Sequence, residues 1–145
     1  MNRRLYPDSC VLIYRLQNVE PWASAIAQAL EPLETIRFFV TDLTRLECRV
    51  LPLRQSDRDL LNMYDRFFKR SDVTRIPLAS KVFDLATELR ANYPLKTPDA
   101  LHLAAAISAG CDEFWTNDKR LAKAAENRIR IVAFNEESLL RSLQA

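Results

Sequence analysis

The chain has 145 residues, of which 48% are hydrophobic, and its 21 basic and 19 acidic residues give a net charge of +2. This length can bury about two-thirds of the unfolded surface in one core but is too short for two ordinary domains, so we predict a single domain over residues 1–145. The small net charge does not by itself indicate a nucleic-acid-binding protein, and we expect no membrane segment, since no apolar run approaches ~18 residues, and no targeting segment.

The first half of the chain alternates short apolar runs with helical patterns. Pro7 and Asp8 separate the first predicted strand from a short helix, and Pro21 suits the first position of the next helix. Pro52 is predicted to end the third helix, which begins after Thr41 or Asp42 as its N-cap. The predicted elements are strands at 4–6 and 36–40 and helices at 11–16, 22–30, 43–51 and 60–68.

The second half continues the alternation, with strands predicted at 73–76, 114–116 and 129–134 and helices at 82–92, 100–109, 119–125 and 136–143. The helix at 100–109 is apolar almost all round and must therefore be buried, and Gly110, the only glycine, suits its left-handed C-terminal cap. Alternating strands and helices predict a single-domain, three-layer α/β/α sandwich with a central, mainly parallel sheet of about five strands.

The three cysteines indicate a reducing compartment. Cys10, Cys48 and Cys111 are odd in number, lack the C-x-x-C spacing of zinc and redox sites, and lie in apolar surroundings. We therefore expect a cytoplasmic protein.

Glu47 is the most informative acid in the sequence. A helical wheel over 43–51 places it inside an arc of apolar residues, which are Leu43, Leu46, Val50 and Leu51. A charged carboxylate on a buried stripe is costly unless it is paired, hydrogen-bonded or bound to a cation. We interpret Glu47 as functional; a buried Glu–Arg pair is the alternative.

Three aspartates follow predicted strands or begin the buried helix. Asp8 and Asp118 come after strands, and the carboxyl ends of parallel strands border the crevice where ligands bind. Asp99 lies in the first turn of the helix at 100–109, which would direct it to the same rim. Taken singly, each aspartate is also explained as a helix cap or a favourable partner of the helix dipole.

If the four carboxylates converge, they must bind protons or cations. An all-oxygen ligand set favours Mg²⁺ or Mn²⁺, which lower the pKa of bound water and neutralise phosphoryl oxygens. Phosphodiester hydrolysis is the reaction class that this chemistry predicts.

These acids and their surroundings resemble the PIN-domain ribonucleases, especially the VapC toxins. The matching segments span essentially the whole chain: residues 5–9 (LYPDS), 44–47 (TRLE), 97–104 (TPDALHLA) and 115–118 (WTND). The resemblance implies a PIN-like fold and assigns to Asp8, Glu47, Asp99 and Asp118 the ligation of one or two Mg²⁺ or Mn²⁺ ions and the activation of water for RNA cleavage.

The resemblance also implies supporting residues. Ser9, Thr116 and Asn117 would hydrogen-bond to the acids or to metal-bound water, although polar caps would look the same. Pro7 departs from the apolar residue usual before the first acid. His102, one helical turn from Asp99, is interpreted as a packed core histidine, with orientation of a carboxylate as the alternative.

Family members are usually homodimers, restrained by an antitoxin whose C-terminal segment covers the active site, often with a basic residue. The resemblance therefore implies an RNA substrate, an antitoxin partner and a homodimer. The stripe of Trp22, Ile26 and Leu30 is a candidate contact for such a segment, with core packing the favoured interpretation.

Other function classes fit less well. A PIN-type RNA-processing nuclease without an antitoxin uses the same acids. A non-catalytic, Mg²⁺-binding receiver-like domain requires adjacent acids after the first strand and a lysine after the last, where this chain has Ser9 and Asn135. An aspartate-nucleophile phosphatase requires an acid where Cys10 stands. A structural domain with four caps leaves Glu47 unexplained.

Overall fold

A computed structural model describes residues 2–144 of the chain, with side chains described through residue 141. Five strands alternate with eight helices along this range. The strands are β1 (Asn2–Pro7), β2 (Thr35–Val40), β3 (Val73–Arg75), β4 (Glu113–Thr116) and β5 (Arg130–Ala133). The helices are α1 (Ser9–Leu16), α2 (Trp22–Leu30), α3 (Asp42–Arg54), α4 (Arg58–Phe68), α5 (Ser80–Asn92), α6 (Thr97–Ser108), α7 (Leu121–Ala125) and α8 (Glu136–Gln144).

The five strands form one parallel sheet in the order β3-β2-β1-β4-β5. From β1 the chain adds β2 and then β3 on one side, and it then adds β4 and β5 on the other side of β1. The strand order therefore reverses between β1 and β4, and a crevice is expected outside the carboxyl ends of these two strands. This sheet confirms the predicted fold class.

Helices cover both faces of the sheet because successive strand residues point to opposite sides. Leu5 belongs to an apolar cluster formed with α1, α2, α3 and α4, whereas Tyr6 belongs to a second cluster formed with α5, α6 and α7. The result is the three-layer arrangement that the alternating pattern predicted.

The apolar helix predicted at the centre is α6, which packs deep in the second cluster. Its buried residues are Ala100, His102, Leu103, Ala104, Ala105 and Ala106. Gly110 follows it with a φ of +70°, the left-handed conformation that glycine adopts at little cost. The N-terminal turn of α6 carries Asp99.

Several predicted helix boundaries differ from the structure by up to three residues, and two of these differences have a clear local cause. Helix α3 continues through Pro52 to Arg54, because a proline so near the end of a helix removes only one backbone donor, and Gln55 N donates to Leu51 O at 2.9 Å beyond it. Helix α7 begins at Leu121, because the residues after Asp118 form a turn in which Leu121 N donates to the Asp118 carbonyl at 3.3 Å.

Core packing accounts for the apolar stripe on α2. Ile26 is 1% exposed, and the Trp22 ring stacks on Tyr14 with centroids 5.7 Å apart. The three cysteines are free thiols, and Cys48 and Cys111 are buried as expected of small apolar side chains. Along the part of the chain that the structure describes, no helix combines the length and apolar character needed to cross a membrane.

Candidate functional site

Asp8 and Asp118 lie on either side of the point where the strand order reverses. Pro7 at the end of β1 is in register with Trp115 of β4, and Asp8 N donates to the Trp115 carbonyl at 2.8 Å. Asp118 follows two residues after β4 ends at Thr116. Both carboxylates therefore stand at the same edge of the sheet, as their positions after strands predicted.

Asp99 reaches this edge from the first turn of α6. Its carboxylate accepts no hydrogen bond from any described residue, so it does not cap the helix. Burial raises the pKa of Asp99, and the charges of Asp8, Asp118 and Glu47 raise it further against the opposing effect of His102. The charges of all three other acids therefore act on Asp99.

Glu47 also reaches the site, but the premise that singled it out was wrong. Its apolar neighbours on the helical wheel face solvent: Leu46 is 57% exposed, Val50 41% and Leu51 46%. The face of α3 that packs on the core instead carries Thr44, Cys48 and Pro52. Glu47 is half-buried at the border of the two faces, because the polar Thr44 and the small Cys48 suffice to fill the space under α3.

Ser9 and Thr116 hold the carboxylates of Asp8 and Glu47 in place. Ser9 N donates to Asp8 Oδ1 at 2.8 Å and Ser9 Oγ donates to Glu47 Oε1 at 2.8 Å, so one residue links the two acids. Thr116 Oγ1 donates to Asp8 Oδ2 at 3.0 Å. Asn117 bonds elsewhere, donating to the Tyr14 hydroxyl at 3.3 Å.

Asp8 and Glu47 differ in the direction in which their pKa values are shifted. Burial raises the pKa of Asp8, although His102, Ser9 and Thr116 oppose it. Burial also favours the neutral form of Glu47, but hydrogen bonds from His102 and Ser9 outweigh it and lower the pKa of Glu47. The partner of Glu47 is thus a histidine and not the arginine of the alternative interpretation.

Asp118 is held by a residue that the sequence analysis did not single out. Arg120 donates from Nε to Oδ1 and from a terminal nitrogen to Oδ2, both at 2.9 Å, and its backbone N donates to Oδ1 at 3.0 Å. The guanidinium hydrogen bond lowers the pKa of Asp118. The sequence signal was an arginine two residues after the acid, a spacing that lets one side chain turn back onto the other.

Three of the four acids, Asp8, Asp99 and Asp118, line a cleft of about 570 Å³ together with Thr116 and Asn117. Glu47 lies outside this lining and is linked to Asp8 through Ser9. The rim of the cleft carries three cations, which are Lys96, Arg120 and Lys123. The cleft therefore combines an acidic floor with a basic rim, an arrangement that suits a ligand with both metal-binding and anionic groups.

The donor set fits a hard divalent cation. Among residues 2–141 no group of three or more His, Cys, Asp or Glu side chains is arranged to hold a metal ion as it stands. Glu47 is engaged by His102 and Asp118 by Arg120. Arg120 is 86% exposed, so its ion pair with Asp118 is inexpensive to exchange, and carboxylate oxygens are the ligands that Mg²⁺ and Mn²⁺ prefer.

Comparison with known proteins was made by sequence and by fold. The sequence profile of the family described as PIN domain matches residues 5–127. No curated protein sequence matches the chain significantly.

Solved structures share the fold at low sequence identity. VapBC2 from Rickettsia felis, bound to a DNA fragment of its promoter, superposes with a TM-score of 0.67 and 14% identity over 91% of this chain and 98% of the other. A toxin–antitoxin complex from Klebsiella pneumoniae has a TM-score of 0.63 and 22% identity, over 89% of this chain and 96% of the other. DNA-bound VapBC from Salmonella typhimurium has a TM-score of 0.65 and 16% identity, over 90% of this chain and 98% of the other.

The raised pKa of Asp99 predicts how its replacement changes stability. A raised pKa means that folding disfavours the charged form, so the cost is absent at acid pH and appears as the pH rises through the raised pKa. In chelator, Asp99→Asn should therefore gain stability relative to the parent protein as the pH rises from acid to neutral. Thermal unfolding across that pH range measures this gain.

Asp84→Asn is the matched control. Asp84 is exposed on α5 and forms no interaction within the described residues, so its variant should track the parent protein at every pH. A variant of Asp99 that loses stability relative to the parent as the pH rises would show that folding does not disfavour the charged form of this carboxylate.

Proposed function

The chain belongs to the PIN domain family, and on that premise we propose that it is a Mg²⁺- or Mn²⁺-dependent ribonuclease, the toxin of a VapBC-type toxin–antitoxin pair. The observation that carries the proposal is that Asp8, Asp99 and Asp118 line one cleft where the strand order reverses, with Glu47 linked to Asp8 through Ser9. Four carboxylates at one place require compensating protons or cations, and their oxygens suit hard divalent cations.

The proposed ligands are the four acids, and each has different hydrogen-bond or ion-pair partners. Asp99 offers a carboxylate without a protein donor. Asp8 is fixed in orientation by Ser9 and Thr116, while Asp118 would exchange Arg120 for the cation. When bound, the ion would supply an activated water and neutralise charge on the phosphoryl oxygens.

The basic rim supports a nucleic-acid substrate. Lys96, Arg120 and Lys123 border the cleft, and guanidinium and ammonium groups are the usual partners of phosphate. Because the net charge of the chain is only +2, this local grouping, and not the bulk field, is proposed to place an RNA backbone over the acids.

Two observations support an antitoxin partner. The three structures compared above are described as VapBC or toxin–antitoxin assemblies. Beside Glu47, α3 presents Leu46, Val50 and Leu53 to solvent, and grouped exposed apolar side chains favour a protein partner. The RNA-processing alternative shares the nuclease chemistry, and a small antitoxin-like gene adjacent to this one would favour the toxin. A homodimer stays a prediction of the family resemblance.

Hydrolysis of a mixed RNA pool tests the proposal. Cleavage should require Mg²⁺ or Mn²⁺, should stop with excess chelator, and should fall by at least about 100-fold in Asp99→Asn, because that substitution removes a ligand charge without changing the shape of the side chain. Gel analysis of the RNA fragments measures it. Asp84→Asn should retain full activity; cleavage that survives both the chelator and Asp99→Asn contradicts the mechanism.

Arg120→Gln tests the basic rim separately from the acids. We expect weaker RNA binding, with a salt dependence of log K reduced by about one phosphate contact, because one cation is lost. Binding of Mn²⁺ should not weaken, since Asp118 is released from its ion pair. Fluorescence anisotropy across salt concentrations and calorimetric titration of Mn²⁺ measure the two effects.

Arg58→Gln provides the same change of charge at an exposed position of α4, away from the cleft. It should leave the salt dependence of RNA binding unchanged. Equal effects of Arg58→Gln and Arg120→Gln would mean that the rim has no special part in RNA binding.

A further inference from the structure

The only histidine of the chain is clamped between two hydrogen-bond partners. His102 is 1% exposed; its Nδ1 lies 2.6 Å from the Tyr6 hydroxyl and its Nε2 lies 2.5 Å from Glu47 Oε1. The Tyr6 ring is itself fully buried and stacked on Phe114, with centroids 5.3 Å apart. A chain of contacts thus runs from the core of the sheet to one acid of the proposed site.

The Tyr6 hydroxyl has three close polar neighbours. Thr41 and Thr44 lie 3.4 and 3.3 Å from it, and their own hydroxyls are 3.4 Å apart. Nδ1 of His102, at 2.6 Å, is the closest of the three.

Glu47 sets the direction of the hydrogen bond at Nε2. Because an ionised carboxylate only accepts hydrogen bonds, Nε2 carries a proton and donates to Glu47 Oε1. The same carboxylate oxygen also accepts from Ser9 Oγ at 2.8 Å. Glu47 Oε2 accepts no hydrogen bond from any residue within the described range.

We propose that Tyr6 and His102 form a positioning relay that fixes Glu47 through Oε1 and leaves Oε2 available to the divalent cation. The relay deepens the function proposed above and rests on it only for the identity of the cation. Neither residue touches the reacting atoms; both act through Glu47. Hydrogen-bonded partners of this kind commonly change metal affinity by 10- to 100-fold when they are removed.

The relay makes a spectroscopic prediction that needs no metal and no RNA. Because the chain has one histidine, ¹⁵N NMR of the labelled full-length protein reports on His102 alone. In chelator we expect a proton on Nε2. Tyr6→Phe removes the hydrogen-bond partner of Nδ1 and should change the Nδ1 chemical shift. A parent ring whose only proton is on Nδ1, the opposite tautomer, overturns the relay.

Metal binding provides the second readout. His102→Leu should weaken Mn²⁺ binding by about 10-fold, whereas His102→Gln, whose amide can donate from the place of Nε2, should stay within about threefold of the parent. Calorimetric titration measures the affinities, and thermal unfolding checks that each variant is folded. Equal affinities in the folded Leu and Gln variants would assign His102 to packing alone and overturn the proposal.

The two proposals fail in different ways. A parent protein that carries a proton on His102 Nε2 but shows no saturable binding of Mn²⁺ contradicts the metal-dependent function. That result also removes the purpose assigned to the relay. A parent protein that binds Mn²⁺ with the opposite tautomer contradicts the relay and leaves the nuclease proposal standing.

Discussion

Mutual repulsion among Asp8, Glu47, Asp99 and Asp118 is the constraint on which the rest of the site depends. Two carboxylates ~5 Å apart repel by about 3 kcal/mol at an effective dielectric of 20, so each must find its own compensation. Asp118 pairs with the Arg120 guanidinium, and Glu47 is hydrogen-bonded to the His102 imidazole and the Ser9 hydroxyl. Asp8 takes a backbone amide and a hydroxyl, while Asp99 takes none and its pKa rises.

The fold makes this crowding possible because rigid elements hold the acids. Asp8 and Asp118 follow neighbouring parallel strands, Asp99 begins a helix packed by alanines, and Glu47 projects from a helix fixed to Tyr6 through Thr44. No acid has to be brought in from a long loop. His102 lies one turn from Asp99 on the same alanine-rich helix. The residue that supports Glu47 and the carboxylate without a protein donor therefore come from one helix.

Much of this was predictable because it follows from patterns that burial enforces. The parallel sheet follows from alternating elements, and burial of α6 follows from its lack of a polar face. Glu47 was found by a wrong argument: the wheel assumed that the leucines of α3 face the core, but a helix that leaves Leu46 exposed cannot be oriented from hydrophobicity alone. Arg120 and the Tyr6–His102 contacts escaped the sequence analysis because they depend on side chains that meet only in three dimensions.

Anomalous diffraction from crystals soaked in Mn²⁺ tests the central claim most directly, because it locates the cation without reference to activity. The account predicts a peak within coordination distance of Asp8 and Asp99 carboxylate oxygens, with Arg120 turned away from Asp118 wherever that acid also binds. Occupied Mn²⁺ sites elsewhere in the crystal, with none among the four acids, would contradict it.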